Sequence, residues 1–82
     1  MKIHKDYVYN VKEYSHMDKR DENHLRLDYD VIVTKVTDKF VEGYVIASRK
    51  QKMQDTFNVF RNSKWRVFTE IGPKEEYPEY FI

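Results

Sequence analysis

Cysteine is absent from this chain. Neither disulfides nor thiolate zinc sites can therefore supplement its core, and the absence fits a reducing cytoplasm. Glycine occurs only at Gly43 and Gly72, too few to build a glycine-rich loop that cradles phosphate. The only serines are Ser15, Ser48 and Ser63, none of them set in a glycine-rich elbow, so no constellation for nucleophilic catalysis is present. No apolar run approaches the roughly 20 residues that span a bilayer. Met1 to Tyr14 alternates charged and aromatic residues where a signal peptide would carry a continuous apolar stretch. The net charge is only +1, which argues against a strongly basic protein that coats nucleic acid.

What the chain has in quantity is aromatic side chains: seven Tyr, five Phe and one Trp among 82 residues. A domain near this size buries only about 60 to 65 % of the surface its unfolded chain exposes, so these large rings must supply much of its core. Charge is unevenly placed. Arg49 to Arg66 holds six bases against Asp55 alone, whereas Val67 to Ile82 holds Lys74 against four glutamates. Such asymmetry points to a partner-facing patch or to internal pairing of the tail with the loop.

Hydrophobic periodicity is that of strands. Asp6 to Tyr14 places Tyr7, Tyr9 and Val11 on one face and Val8 on the other. Ser15 to His24 is the most polar stretch, a loop or at most one helical turn capped by Ser15 and Asp18. Leu25 to Val36 resumes the alternation, with Leu25, Leu27, Tyr29, Val31 and Val33 on one parity and Ile32 and Val36 on the other. Asp38 and Lys39 turn the chain into Phe40 to Ser48. That register sets Lys35 against Glu42, an opposite-charge cross-strand pair, and Val33 against Tyr44. It also leaves a second apolar face of Ile32, Val36, Val41, Val45 and Ala47.

The segment Asp55 to Ile71 reads as a hairpin around a loop of Arg61, Asn62 and Ser63. In that register Phe57, Val59, Trp65 and Val67 share one face and are assigned to the core. Asn58, Phe60, Lys64, Arg66 and Phe68 share the other; a one-residue slip would exchange the two sets. Gly72 and Pro73 are expected to end the last strand. The acidic and aromatic tail, residues 72–82, is expected to dock on the body of a single domain, residues 1–82. Together these elements predict a mainly β fold: a small five-stranded antiparallel barrel or bent sheet, SH3-like or OB-like, with room for one short helix in 15–24 or 49–54.

Candidate chemistry is sparse. His16, Asp18, Asp21, Glu22 and His24 crowd one polar loop, with His4 in the sequence before it, but their spacing matches no metal site of known geometry, and a solvated charged loop accounts for them. Asp28 and Asp30 share a strand face as solvent-facing positions. No metal, cofactor or catalytic residue is expected, and the chain reads as a non-enzyme. The residues expected to contact a partner are Phe60, Lys64, Arg66 and Phe68, with Arg49 and Lys52 beside them. Tyr, Trp, Phe and Arg are the residue types enriched at protein interfaces. The chain therefore reads as a cytoplasmic accessory or inhibitor protein that binds a protein partner, with a viral or mobile-element origin suggested by its small size and its Lys-, Tyr- and Asn-rich composition. The alternative is a nucleic-acid-binding barrel in which the same bases neutralise phosphate and the rings stack on bases. An exposed edge strand could also pair two copies of the chain.

Overall fold

The computed structural model describes residues 2–16, 21–48 and 55–78. Its strands are β1 (Tyr7–Tyr14), β2 (Leu25–Val36), β3 (Phe40–Ser48), β4 (Thr56–Phe60) and β5 (Arg66–Pro73). They form one antiparallel sheet in the order β4-β3-β2-β1-β5. Two single-turn 3-10 helices, Glu22–His24 and Lys74–Glu76, complete the described chain. The first is capped by Asp21, whose side chain accepts a hydrogen bond from the His24 amide at 3.2 Å. Residues 17–20 and 49–54, on which the other helical expectations fell, lie outside the described residues.

The hairpin expected across 55–71 does not form. β4 pairs with β3, β5 pairs with β1, and these two consecutive strands occupy opposite edges of the sheet. Only Arg61 to Trp65 connects them, so the sheet must curl to bring its two edges near each other. A chain of edge-to-face rings fills the space between. Tyr9 on β1 meets Phe68 on β5, Phe68 meets Phe57 on β4, and Phe57 meets Tyr29 on β2, with centroids 5.7 to 6.2 Å apart. Such arrangements are favoured over face-to-face stacking by the ring quadrupole. The described strands leave no ladder between β4 and β5, so the sheet is bent and open.

This topology reverses the face assignment of β5. Phe68 is 7 % exposed and belongs to the core, whereas Trp65 is 40 % exposed and sits in the connection. The expected hairpin had placed each on the other side, the consequence of a one-residue change of parity. The main core lies inside the curl and includes Ile3, Tyr9, Val11, Tyr29, Val31, Val33, Val41, Val45, Phe57 and Phe68. A smaller cluster on the outer face, Val8, Ile32 and Ile46, is covered by Tyr77. Tyr77 follows the second 3-10 turn; residues 79–82, the rest of the tail expected to dock, lie outside the described residues.

Two irregularities in the β2–β3 ladder change which residues face inward. Lys35 does oppose Glu42, but Val33 opposes Gly43, leaving Thr34 as an extra residue. Val36, Val41 and Val45 thereby join the main core instead of forming a second face with Ile32. Tyr44 turns outward. The bend also explains Gly43: a Cβ there would lie 1.9 Å from the Ile32 carbonyl oxygen, a backbone atom of the adjacent strand. Only glycine allows that approach. At the other end of the sheet, β5 runs through Gly72 and Pro73, which opposes Tyr7. Proline is tolerated there because β5 is an edge strand.

Candidate functional site

The two connections that leave one side of the curled sheet are joined to each other. Arg61 donates its backbone N–H to the Lys39 carbonyl at 2.7 Å and its Nη1 to the Thr37 carbonyl at 3.2 Å. The β4–β5 connection is thus fastened to the β2–β3 turn, which is itself held by the Thr37 hydroxyl accepting from the Phe40 N–H at 2.9 Å. At the ends of β3 and β4, Phe40 and Phe60 are cross-strand partners on the solvent side, their rings stacked at 5.0 Å. Between the two loops runs a groove of about 470 Å³, walled by Phe60 and Trp65 and rimmed by Asp38, Lys39, Asn62, Ser63 and Lys64.

Phe60 is 61 % exposed, the highest value for a large hydrophobic side chain among the described residues. In a strand that turns Phe57 inward, period-two alternation places Thr56 and Asn58 outward. Beyond the partly buried Val59 the same alternation leaves the Phe60 ring in water. A ring in that position contributes little to folding and is available to a partner.

Of the residues expected from sequence to make contact, Phe60 and Lys64 are at this groove, and both are exposed. Phe68 is not there, being part of the core. Arg66 is not available either. Its side chain is only 10 % exposed; Nη2 donates to Glu13 Oε1 at 3.4 Å, and Nε lies 3.4 Å from Oε2 without hydrogen-bond alignment. Its Nη1 donates to the Phe60 carbonyl at 3.2 Å. Arg66 therefore holds the groove from behind, and Glu13 neutralises it. Arg49 and Lys52 lie outside the described residues. Trp65, Phe40 and Lys39 complete the site and had not been expected in it. The signal that could have exposed the error is Glu13: it shares the inward parity of Tyr9 and Val11, so an inward base on a neighbouring strand was required.

Glu13 also accepts a hydrogen bond from the Tyr29 hydroxyl. Burial pushes the Tyr29 phenol well above its ordinary pKa, and the bond to Glu13 with its negative charge adds to this, while Arg66 opposes it. Tyr9 is shifted upward as well, chiefly by burial. Both tyrosines belong to the main core.

Elsewhere the polar clusters are satisfied internally. The Asn10 amide donates to Asp28 and Asp30 at 2.8 and 2.9 Å, and Lys12 donates to the Asn10 oxygen at 2.8 Å. His24 bonds Asp21 through Nδ1 and packs its ring against His16; the bond to His24 lowers the Asp21 pKa. Among the described residues no group of three His, Asp or Glu side chains could hold a metal ion. A second groove of about 380 Å³ runs beside Ile32, Thr34 and Tyr44; Asp6, Lys74 and Glu75 form its charged side, with Lys74 paired to Asp6 at 3.6 Å. Among the described residues no helix is long and apolar enough to cross a membrane. No family model, curated protein or solved structure matches this chain.

Proposed function

We propose that this chain is a non-catalytic interaction module that docks on a protein partner through the Phe60–Trp65 groove, acting as an accessory or inhibitor protein in the cytoplasm. The observation that carries the reading is the exposure of Phe60 and Trp65 on the two walls of one groove, with Phe40 stacked behind Phe60. Large rings held at the surface by a rigid scaffold are the usual anchors of protein interfaces. Rigidity comes from Arg61 and Arg66, which fix both ends of the connection and reduce the ordering cost of binding. The ring contacts between β4 and β5 further support reading the bent sheet as an incompletely closed five-stranded barrel.

Nucleic acid is the weaker candidate because Arg66, which would have served phosphate, is paired with Glu13 inside the fold. The test is to place a photo-crosslinking phenylalanine analogue at position 60 in the cells that make the protein. The expected product is a discrete adduct that nuclease leaves unchanged and whose digest yields peptides of a second protein. An adduct removed by nuclease, or none at position 60 when the same analogue at Tyr44 gives one, refutes the proposal.

A further inference from the structure

We infer that β4 pairs antiparallel with the β4 of a second copy of this chain, about a two-fold axis at Asn58, so that two sheets join edge to edge. The inference is independent of the docking groove, with which it shares Phe60 alone.

The backbone bonds of β4 leave its outer edge open. Arg61 donates its N–H to the Lys39 carbonyl at 2.7 Å and Val45 donates to the Asp55 carbonyl at 2.8 Å, so the odd-numbered positions of this segment are the ones that bond β3. Thr56, Asn58 and Phe60 therefore turn their N–H and C=O groups away from β3. Among the described residues, only the Phe60 carbonyl in this set meets a donor, Arg66 Nη1 at 3.2 Å, and a carbonyl oxygen has a second lone pair to offer. An open edge is a template for another strand, and proteins guard it with charge or proline. β5, at the other edge, carries Glu70 and Pro73. β4, with the sequence TFNVF, has neither, and Thr56 and Asn58 are exposed.

A second copy fits this edge because the strand complements its own image. Centring the axis on Asn58 sets Asn58 against Asn58 and Thr56 against Phe60 of the second copy, which uses all three open positions; centring it on Phe57 would leave Phe60 out. No charged side chain of β4 meets its image, and a net charge of +1 sets up little repulsion between copies. On the inner side, Phe57 opposes Val59 of the second copy. On the solvent side the existing ladder continues across the axis, because Tyr44 opposes Thr56 and Phe40 opposes Phe60 within each copy. Each row then runs from Tyr44 through Thr56 to Phe60 and Phe40 of the second copy. Three rings exposed in one copy are thereby gathered into two continuous rows. β4 is short, so the dimer is weak, with a dissociation constant of about 10–100 µM.

Sedimentation equilibrium of the purified protein between about 10 µM and 1 mM tests the association, and two charge variants locate it. The parent is expected to show a monomer–dimer equilibrium. Asn58→Asp and Asn58→Lys each set a charge against its own image and should weaken the dimer about tenfold or more. Their circular dichroism should be unchanged, because Asn58 is exposed. Mixing the two variants in equal amounts should restore the dimer, since the opposed charges then attract. A parent that stays monomeric at about 1 mM, a variant that dimerises like the parent, or a mixture that does not associate overturns the inference.

Discussion

Truncating Phe68 and Phe60 separately distinguishes the observed topology from a β4–β5 hairpin, because the hairpin would leave both rings on its outward face whereas the observed topology buries Phe68 alone of the two. Phe68 is nearly enclosed and touches the rings of Tyr9 and Phe57. Phe68→Ala removes the middle of the ring chain that joins the two sheet edges, and a buried Phe→Ala change costs about 3–5 kcal/mol. Phe60 is mostly in water, and its truncation loses little beyond the pair with Phe40, about 0.5–1 kcal/mol. At roughly 0.05–0.15 kcal/mol per residue, a domain of this length has about 4–12 kcal/mol in total. Phe68→Ala therefore removes about a quarter of that total at the upper end of the range and all of it at the lower end. The assay is urea denaturation followed by circular dichroism and Trp65 emission. With a slope of about 1 kcal/mol per molar urea, Phe60→Ala moves the midpoint by less than about 1 M. Phe68→Ala moves it by about 3–5 M or abolishes the folded baseline. Equal shifts, or a Phe68→Ala variant as stable as the parent, would refute the core assignment and restore the hairpin.

Other outcomes follow from the same geometry. Gly43→Ala forces a Cβ onto the Ile32 carbonyl oxygen and should cost about 3 kcal/mol or more, read as a large drop in the urea midpoint. Glu13→Gln leaves the Arg66 guanidinium enclosed without its counter-charge and should cost about 3 kcal/mol, whereas exchanging the exposed Lys35 and Glu42 should change stability by less than about 1 kcal/mol. Because the folded-state pKa of Tyr29 is raised above the unfolded value near 10, the unfolded chain releases that proton first as pH rises. Its contribution is complete below about pH 10 and is lost above it, so the alkaline slope of stability should be shallower in Tyr29→Phe, as measured by urea midpoints between about pH 9 and 11. Trp65 should be quenched by acrylamide in the folded protein, which a Trp65 buried in a hairpin core would resist.

The strands themselves were legible along the chain because a half-buried strand writes its face into every second residue. Tyr9 and Val11, Tyr29, Val31 and Val33, and Phe57 are core positions on that ground alone. The Lys35–Glu42 pairing followed from the turn at Asp38 and Lys39. Alternation does not say which strands are neighbours, nor where an extra residue shifts the parity. Thr34 and Ile46 do so in the β2–β3 ladder, and Gly43 marks the bend only once the Ile32 carbonyl is seen beside it.

The candidate site depended on the same distinction. Phe60 and Lys64 were placed on an outward face by local pattern, and the structure leaves them in solvent. Arg66 and Phe68 were placed beside them because a hairpin with a three-residue loop gathers Phe57, Val59, Trp65 and Val67 on one face, and that register set the parity of the whole of β5. Their positions are decided by β1, distant in sequence, which offers Val11 to Phe68 and Glu13 to Arg66 across a ladder. Composition and alternation determined an aromatic-rich, antiparallel β domain without cysteine. Long-range pairing decided which rings close the core and which remain at the surface, because a side chain's face is local whereas its neighbour is not.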